Sequence, residues 1–123
     1  MSLSGERLQQ VARDTAASLP RVSHGRPFTP HLDVWKVADK VFLIVTDDDP
    51  DARIVTLKVD PHHGEALRRD HETITAGRYL DKRHWVSVGA GRGVTERLVE
   101  DLVNGSYELV APSRACKESP DSR

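Results

Sequence analysis

Two apolar, β-branched runs stand next to each other in the middle of the chain. They are Val41-Phe42-Leu43-Ile44-Val45 and Ile54, Val55, Leu57 and Val59, with Asp47-Asp48-Asp49-Pro50-Asp51 between them. Residues of this kind suit a pleated surface. The acidic, proline-containing stretch reads as the loop of a long hairpin. Upstream, Leu32 and Val34 continue the strand pattern, and Ala38-Asp39-Lys40 reads as a tight hairpin turn into Val41. Val22-Ser23-His24-Gly25 is read as a short extra edge strand. Three or four antiparallel strands are therefore expected between residues 22 and 59.

Helical patterns flank this block. Leu8, Val11, Ala12, Ala16 and Leu19 recur every three or four residues, which predicts a helix from Ser4, its N-cap, to Leu19, stopped by Pro20. Asp60-Pro61 has the chemistry of a second helix start, and the spacing predicts a short surface helix over Pro61 to Asp70. Trp85-Val86-Ser87-Val88 is a further strand, with Trp85 expected as a core residue at its start. The glycine-rich stretch Gly89 to Gly93 reads as a flexible loop. Val94, Leu98, Val99, Leu102 and Val103 form the clearest helical stripe. Asn104-Gly105 is read as its left-handed end, and Ser106 as the cap of a last short helix. Grouped strands with helices at both ends predict an α+β fold. Its single antiparallel sheet packs against N- and C-terminal helices and is covered on one face. One domain is expected over residues 1–112, followed by a polar, fraying tail over 113–123.

Composition narrows the function classes. In 123 residues, Leu, Ile, Val and Phe make up about a quarter of the chain, above the ~20% level associated with disorder. No apolar run reaches the ~20 residues needed to span a bilayer. The first residues lack the pattern of a secretory signal, so a cytoplasmic location is expected. The lone cysteine, Cys116, excludes an intrachain disulfide and a multi-cysteine zinc site. The formal net charge of −1 excludes a strongly basic nucleic-acid binder but not a local patch.

Such a patch is visible. Arg78, Lys82, Arg83, Arg92 and Arg97 fall within twenty residues against only Asp81 and Glu96, whereas the stretch from Asp33 to Asp51 is strongly acidic. Cations beside Tyr79 and Trp85 suit phosphates and a stacked base. A solvated loop with both aromatics in the core is the alternative. His84 is expected to fix a strand end. His62, His63 and His71 lack the i, i+4 separation of a joint metal site. The acidic loop lacks the glycine and the twelfth-position carboxylate of a calcium loop, since Ala52 and Lys58 stand there. It reads as a solubilising hairpin tip. No P-loop and no Gly-x-Ser-x-Gly elbow is present, so no catalytic residue, cofactor or metal ligand is assigned.

Two stretches carry a family likeness. Gly77-Arg78-Tyr79-Leu80-Asp81-Lys82-Arg83-His84-Trp85-Val86-Ser87-Val88 and Ser106-Tyr107-Glu108-Leu109-Val110 together resemble the MmcQ/YjbR family, and Trp35 to Phe42 resembles that family's early hairpin. The likeness covers roughly residues 5 to 112. It implies a CyaY-like fold, similar to frataxin, and a DNA-binding role through a double-wing arrangement. Three functions follow as expectations. The first is weak nucleic-acid binding, with DNA as partner, through Arg78, Lys82, Arg83, Arg92 and Arg97. The second is a protein-interaction or regulatory adaptor. The third is a frataxin-like metal binder using Asp47 to Asp51.

Overall fold

A computed structural model of the chain describes residues 4–25, 32–46, 53–77 and 83–111. Nine elements run in the order α1 (Gly5–Ala17), β1 (Val22–Gly25), β2 (Leu32–Val37), β3 (Lys40–Thr46), β4 (Ile54–Lys58), α2 (Pro61–Asp70), β5 (Ile74–Ala76), β6 (Trp85–Gly89) and α3 (Glu96–Val110). The strands form one antiparallel sheet in the order β1-β2-β3-β4-β6-β5. The α+β class, the single sheet and the terminal helices are as the sequence predicts.

Local chemistry explains most boundaries. Ser4 and Asp60 cap α1 and α2 through their side-chain oxygens, which accept from the backbone N–H of Arg7 and His62. Ala38 and Asp39, at φ 53° and 65°, form the β2–β3 turn. Positive φ at both central residues matches the twist of the flanking strands. The three-residue strand β5 is absent from the sequence reading. With Ile74 as its one large apolar residue, it has no periodicity to detect, and pairing with β6 defines it.

Leu43, Val45, Val55, Leu57, Val86 and Val88 line one face of the sheet. Together with Leu8, Val11, Val99, Leu102 and Val103 from α1 and α3 they make the main core. The alternate positions Val34, Ile44, Thr56 and Ser87 are buried too. The sheet's centre is thus withdrawn from water on both faces, where one was expected. The unbroken apolar run of β3 is the signature of that double burial.

The predicted break at Asn104-Gly105 does not occur: α3 runs on to Val110. A mid-helix glycine costs about 0.5–1 kcal/mol relative to alanine. Tertiary contacts at the next two residues hold the helix instead. Between β2 and β3 the register slips at Trp35/Lys36, so that Phe42 is the extra residue of a β-bulge. Phe42 is fully buried in the core and meets the ring of Tyr107 edge-on, with centroids 5.5 Å apart. The buried Ser106 hydroxyl donates to the Phe42 carbonyl at 2.6 Å and accepts from the Lys58 N–H at 2.9 Å. It bridges two backbone groups beyond the last direct β3–β4 pair, Leu43 with Leu57. Tyr107 Oη donates to the Pro20 carbonyl and ties α3 to the segment after α1.

Two predictions follow from this packing. Ser106→Ala should cost about 1–3 kcal/mol in urea unfolding, because it leaves a part-buried N–H and a buried C=O without their shared partner. A midpoint equal to the parent's would refute the bridge. The second concerns Arg7, which holds Glu96 across α1 and α3 at 3.0 and 3.2 Å. That hydrogen bond, with the attraction of the guanidinium, keeps the Glu96 carboxyl below its ordinary pKa. Because the folded value is the lower one, the contribution is present above the ordinary carboxylate range. It is lost as the pH falls through the folded value. Both groups are exposed, so Glu96→Gln should flatten the acid side of a stability–pH curve only slightly.

Candidate nucleic-acid interface

One end of the sheet gathers the start of β3, the end of β4, the start of β6 and the last turn of α3. Trp85 opens β6 opposite Lys58 of β4. The preceding His84 accepts the Val59 N–H at 2.8 Å and extends that ladder by one bond. On the other side, the Gly77 N–H donates to the Trp85 carbonyl at 2.8 Å. A Cβ on Gly77 would stand 2.6 Å from that of Trp85, so the chain leaving β5 approaches β6 this closely only as glycine.

Trp85 is half-buried rather than a core residue. It opens β6 at the strand's end, one position before the inward-facing Val86. The buried tryptophan is Trp35, 8% exposed and stacked on His24 at 4.1 Å between centroids. Trp85 instead borders a hollow of about 320 Å³ shared with Lys40, Val41, Lys58, Leu109 and Val110. A second hollow, of about 220 Å³, lies between α3 and the β4–α2 junction and has Lys58 and Leu109 in common with the first.

The five predicted cations do not form one cluster. Arg83 is exposed, two residues before Trp85 at this end. Arg92 and Arg97 lie beyond the other end of β6, a strand's length of about 15 Å away. Arg97 is 86% exposed and 3.8 Å from Asp101. Arg78 and Lys82 lie outside the described residues, as do Tyr79, the Asp47 to Asp51 loop, Cys116 and the tail. Sequence reasoning missed Lys40, Lys58 and Leu109. The two lysines read as a turn residue and a strand residue, and only the sheet register joins them. Leu109, 51% exposed, enters the sequence reading only within the family-like stretch Ser106 to Val110.

Among the described residues no group of three His, Cys, Asp or Glu side chains could hold a metal ion. No helix among them is long and apolar enough to cross a membrane. Among the described residues the most enclosed charged group is Asp33, 3% exposed, which Arg13 meets at 3.2 Å and His24 also contacts.

The chain matches the YjbR family model over residues 17–109, and it belongs to that family. It is similar to YbdF of Escherichia coli O157:H7, with 32% identity over 111 residues and 90% of each chain covered. It is similar to YjbR of Escherichia coli K12, with 32% identity over 73 residues, 59% of this chain and 61% of that one. Among solved structures, the Deinococcus radiodurans protein DR2400, with a DUF419 domain, superposes with a TM-score of 0.76 and 33% identity. That superposition covers 85% of this chain and 79% of that one. A Pseudomonas syringae protein shares the fold at a TM-score of 0.70 and 20% identity, over 83% and 97% of the two chains.

The two tryptophans differ enough to be told apart in solution. With Trp35→Phe, the remaining Trp85 should emit to the red and be quenched readily by iodide. With Trp85→Phe, the remaining Trp35 should emit to the blue and be protected. Equal quenching of both variants would contradict this burial pattern.

Proposed function

We propose that this protein binds nucleic acid weakly, with little sequence readout, through the Trp85 end of its sheet. The observation that carries the proposal is the half-buried Trp85 bordering a hollow that also includes Lys40 and Lys58. An accessible aromatic face offers a stacking platform to any base, and neighbouring ammonium groups meet the phosphates. Arg83 is close by in the chain, and Arg78 and Lys82 belong to the same basic stretch. The proposed role is binding in the cytoplasm rather than catalysis. Ser106, the hydroxyl at the neighbouring hollow, is already committed to Phe42 and Lys58.

The test is anisotropy with labelled DNA over a salt series. Three productive cations give a log–log slope near −3 and an affinity in the non-specific range of about 10⁻⁴ to 10⁻⁶ M. Lys40→Ala with Lys58→Ala should flatten the slope by about two units. Arg92→Ala with Arg97→Ala should leave it unchanged. Loss of binding in the Arg92/Arg97 variant alone would move the site to the other end of the sheet. No binding of DNA or RNA even at low salt would remove the proposal.

A further inference from the structure

Gly105 lacks the usual reasons for a glycine. It lies inside α3 and has no positive φ, unlike Gly93 at 82°. Nothing lies within 4 Å of where its Cβ would be, whereas at Gly64, Gly77 and Gly91 the nearest atoms stand at 2.8, 2.6 and 2.4 Å. Neither backbone freedom nor close packing accounts for it. Its position on the helix does. Asp101, Gly105 and Leu109 follow one another every fourth residue, so they form a single stripe. That stripe is one wall of the 220 Å³ hollow, with Lys58 and Asp60 across from it. A side chain at 105 would project into that space.

The hollow is smaller than the roughly 300–1,000 Å³ of drug-sized ligand pockets, so it suits one ring rather than a larger ligand. Its walls are largely apolar, through Val59, Leu102 and Leu109, with charges of both signs beside them. An acidic peptide would meet Asp60 and Asp101, and a basic one would meet Lys40 and Lys58. A polymer that alternates an anionic backbone with rings bearing N–H donors satisfies both signs. Its phosphate can lie at Lys58, the charged residue common to the two hollows, while one ring stacks on Trp85 and the next enters beside Gly105. A duplex cannot do this, because its bases are paired and stacked within the helix.

We infer that Gly105 keeps open a pocket for one unpaired base, so that the partner is single-stranded nucleic acid, with amino-bearing bases preferred over thymine or uracil. This rests on the nucleic-acid reading of the same end, and the experiment separates the two. Affinities are measured for a single strand, for the same strand with abasic sites and for its duplex, using the parent protein and Gly105→Leu. The leucine fills the hollow and is a better helix former, so the variant should melt at or above the parent's temperature. The parent should bind the intact single strand at least tenfold more tightly than the duplex or the abasic strand. Gly105→Leu should cut that preference several-fold, leaving the share that stacking on Trp85 supplies, and leave duplex affinity unchanged. Equal binding of all three by the parent, or an undiminished preference in Gly105→Leu, would overturn the base pocket while leaving non-specific binding in place. Absence of binding to any of them would overturn both.

Discussion

A single hydroxyl ties together three elements that lie far apart in the sequence. Ser106 on α3 receives the Lys58 N–H of β4 and donates to the Phe42 carbonyl of β3. The bulge at Phe42 brings that side chain into the core beside Leu43, where Tyr107 meets it. The sheet gains a large aromatic, and the Lys58 and Phe42 backbone groups are joined through a side chain rather than directly. Replacing Ser106 by an apolar residue of similar size would keep the packing and leave both groups without their bridge, the costlier outcome. The rest of the Trp85 end depends on this joint. The same two residues of α3 fix how its last turn meets β3 and β4. They therefore fix where Leu109, one turn further on, stands relative to Trp85 and Lys58.

The stretches that carry the family likeness turn out to be the ones in contact. Gly77 and Trp85 face each other across a hydrogen bond that leaves no space for a Cβ at 77. Ser106 and Tyr107 close the opposite side of the same end. The sequence therefore held the identity of the site's frame, although its geometry came from pairings that no local pattern encodes. The caps Ser4 and Asp60, the turn at Ala38-Asp39 and the edge strand β1 were legible because each is a local preference. The end of α3 was misread for the converse reason. Asn104-Gly105 is a good helix terminator in isolation, but Ser106, Tyr107 and Val110 gain more from buried contacts than a glycine costs the helix. Trp85 was misplaced because aromaticity alone does not say on which face of a strand a residue falls. Its place at the end of β6, paired with Lys58 at the end of β4, decides its partial exposure.

Charge distribution resolves differently in space than along the chain. The sequence contrasts a basic stretch near residues 78–97 with an acidic one near 33–51. The sheet divides both. Arg83 stands at the Trp85 end, while Arg92 and Arg97 stand at the other. Asp33, counted among the acidic residues, is enclosed and met by Arg13 and His24, so it adds little to the outer field. Lys36 and Lys40, from the nominally acidic stretch, fall toward the Trp85 end through the β2–β3 register. A nearly neutral chain thus gathers lysines at one sheet end, with Asp39, Asp60 and Asp101 beside them.

Helix α3 presents two faces that follow different rules. Its inward stripe, Val99, Leu102, Val103, Ser106 and Val110, is buried and commits the helix to the sheet. Its outward stripe, Asp101, Gly105 and Leu109, runs against the usual logic of a surface helix. It has a glycine where alanine would strengthen the helix, and an aliphatic side chain exposed where a polar one would be neutral. Each departure alone is a small loss that a well-anchored helix tolerates. Both fall on the wall of one hollow, so a single cause accounts for them: the space and the apolar surface are what this face of the helix provides. The deeply buried joint at Ser106, one residue from Gly105, holds α3 firmly enough for that face to depart from the rules.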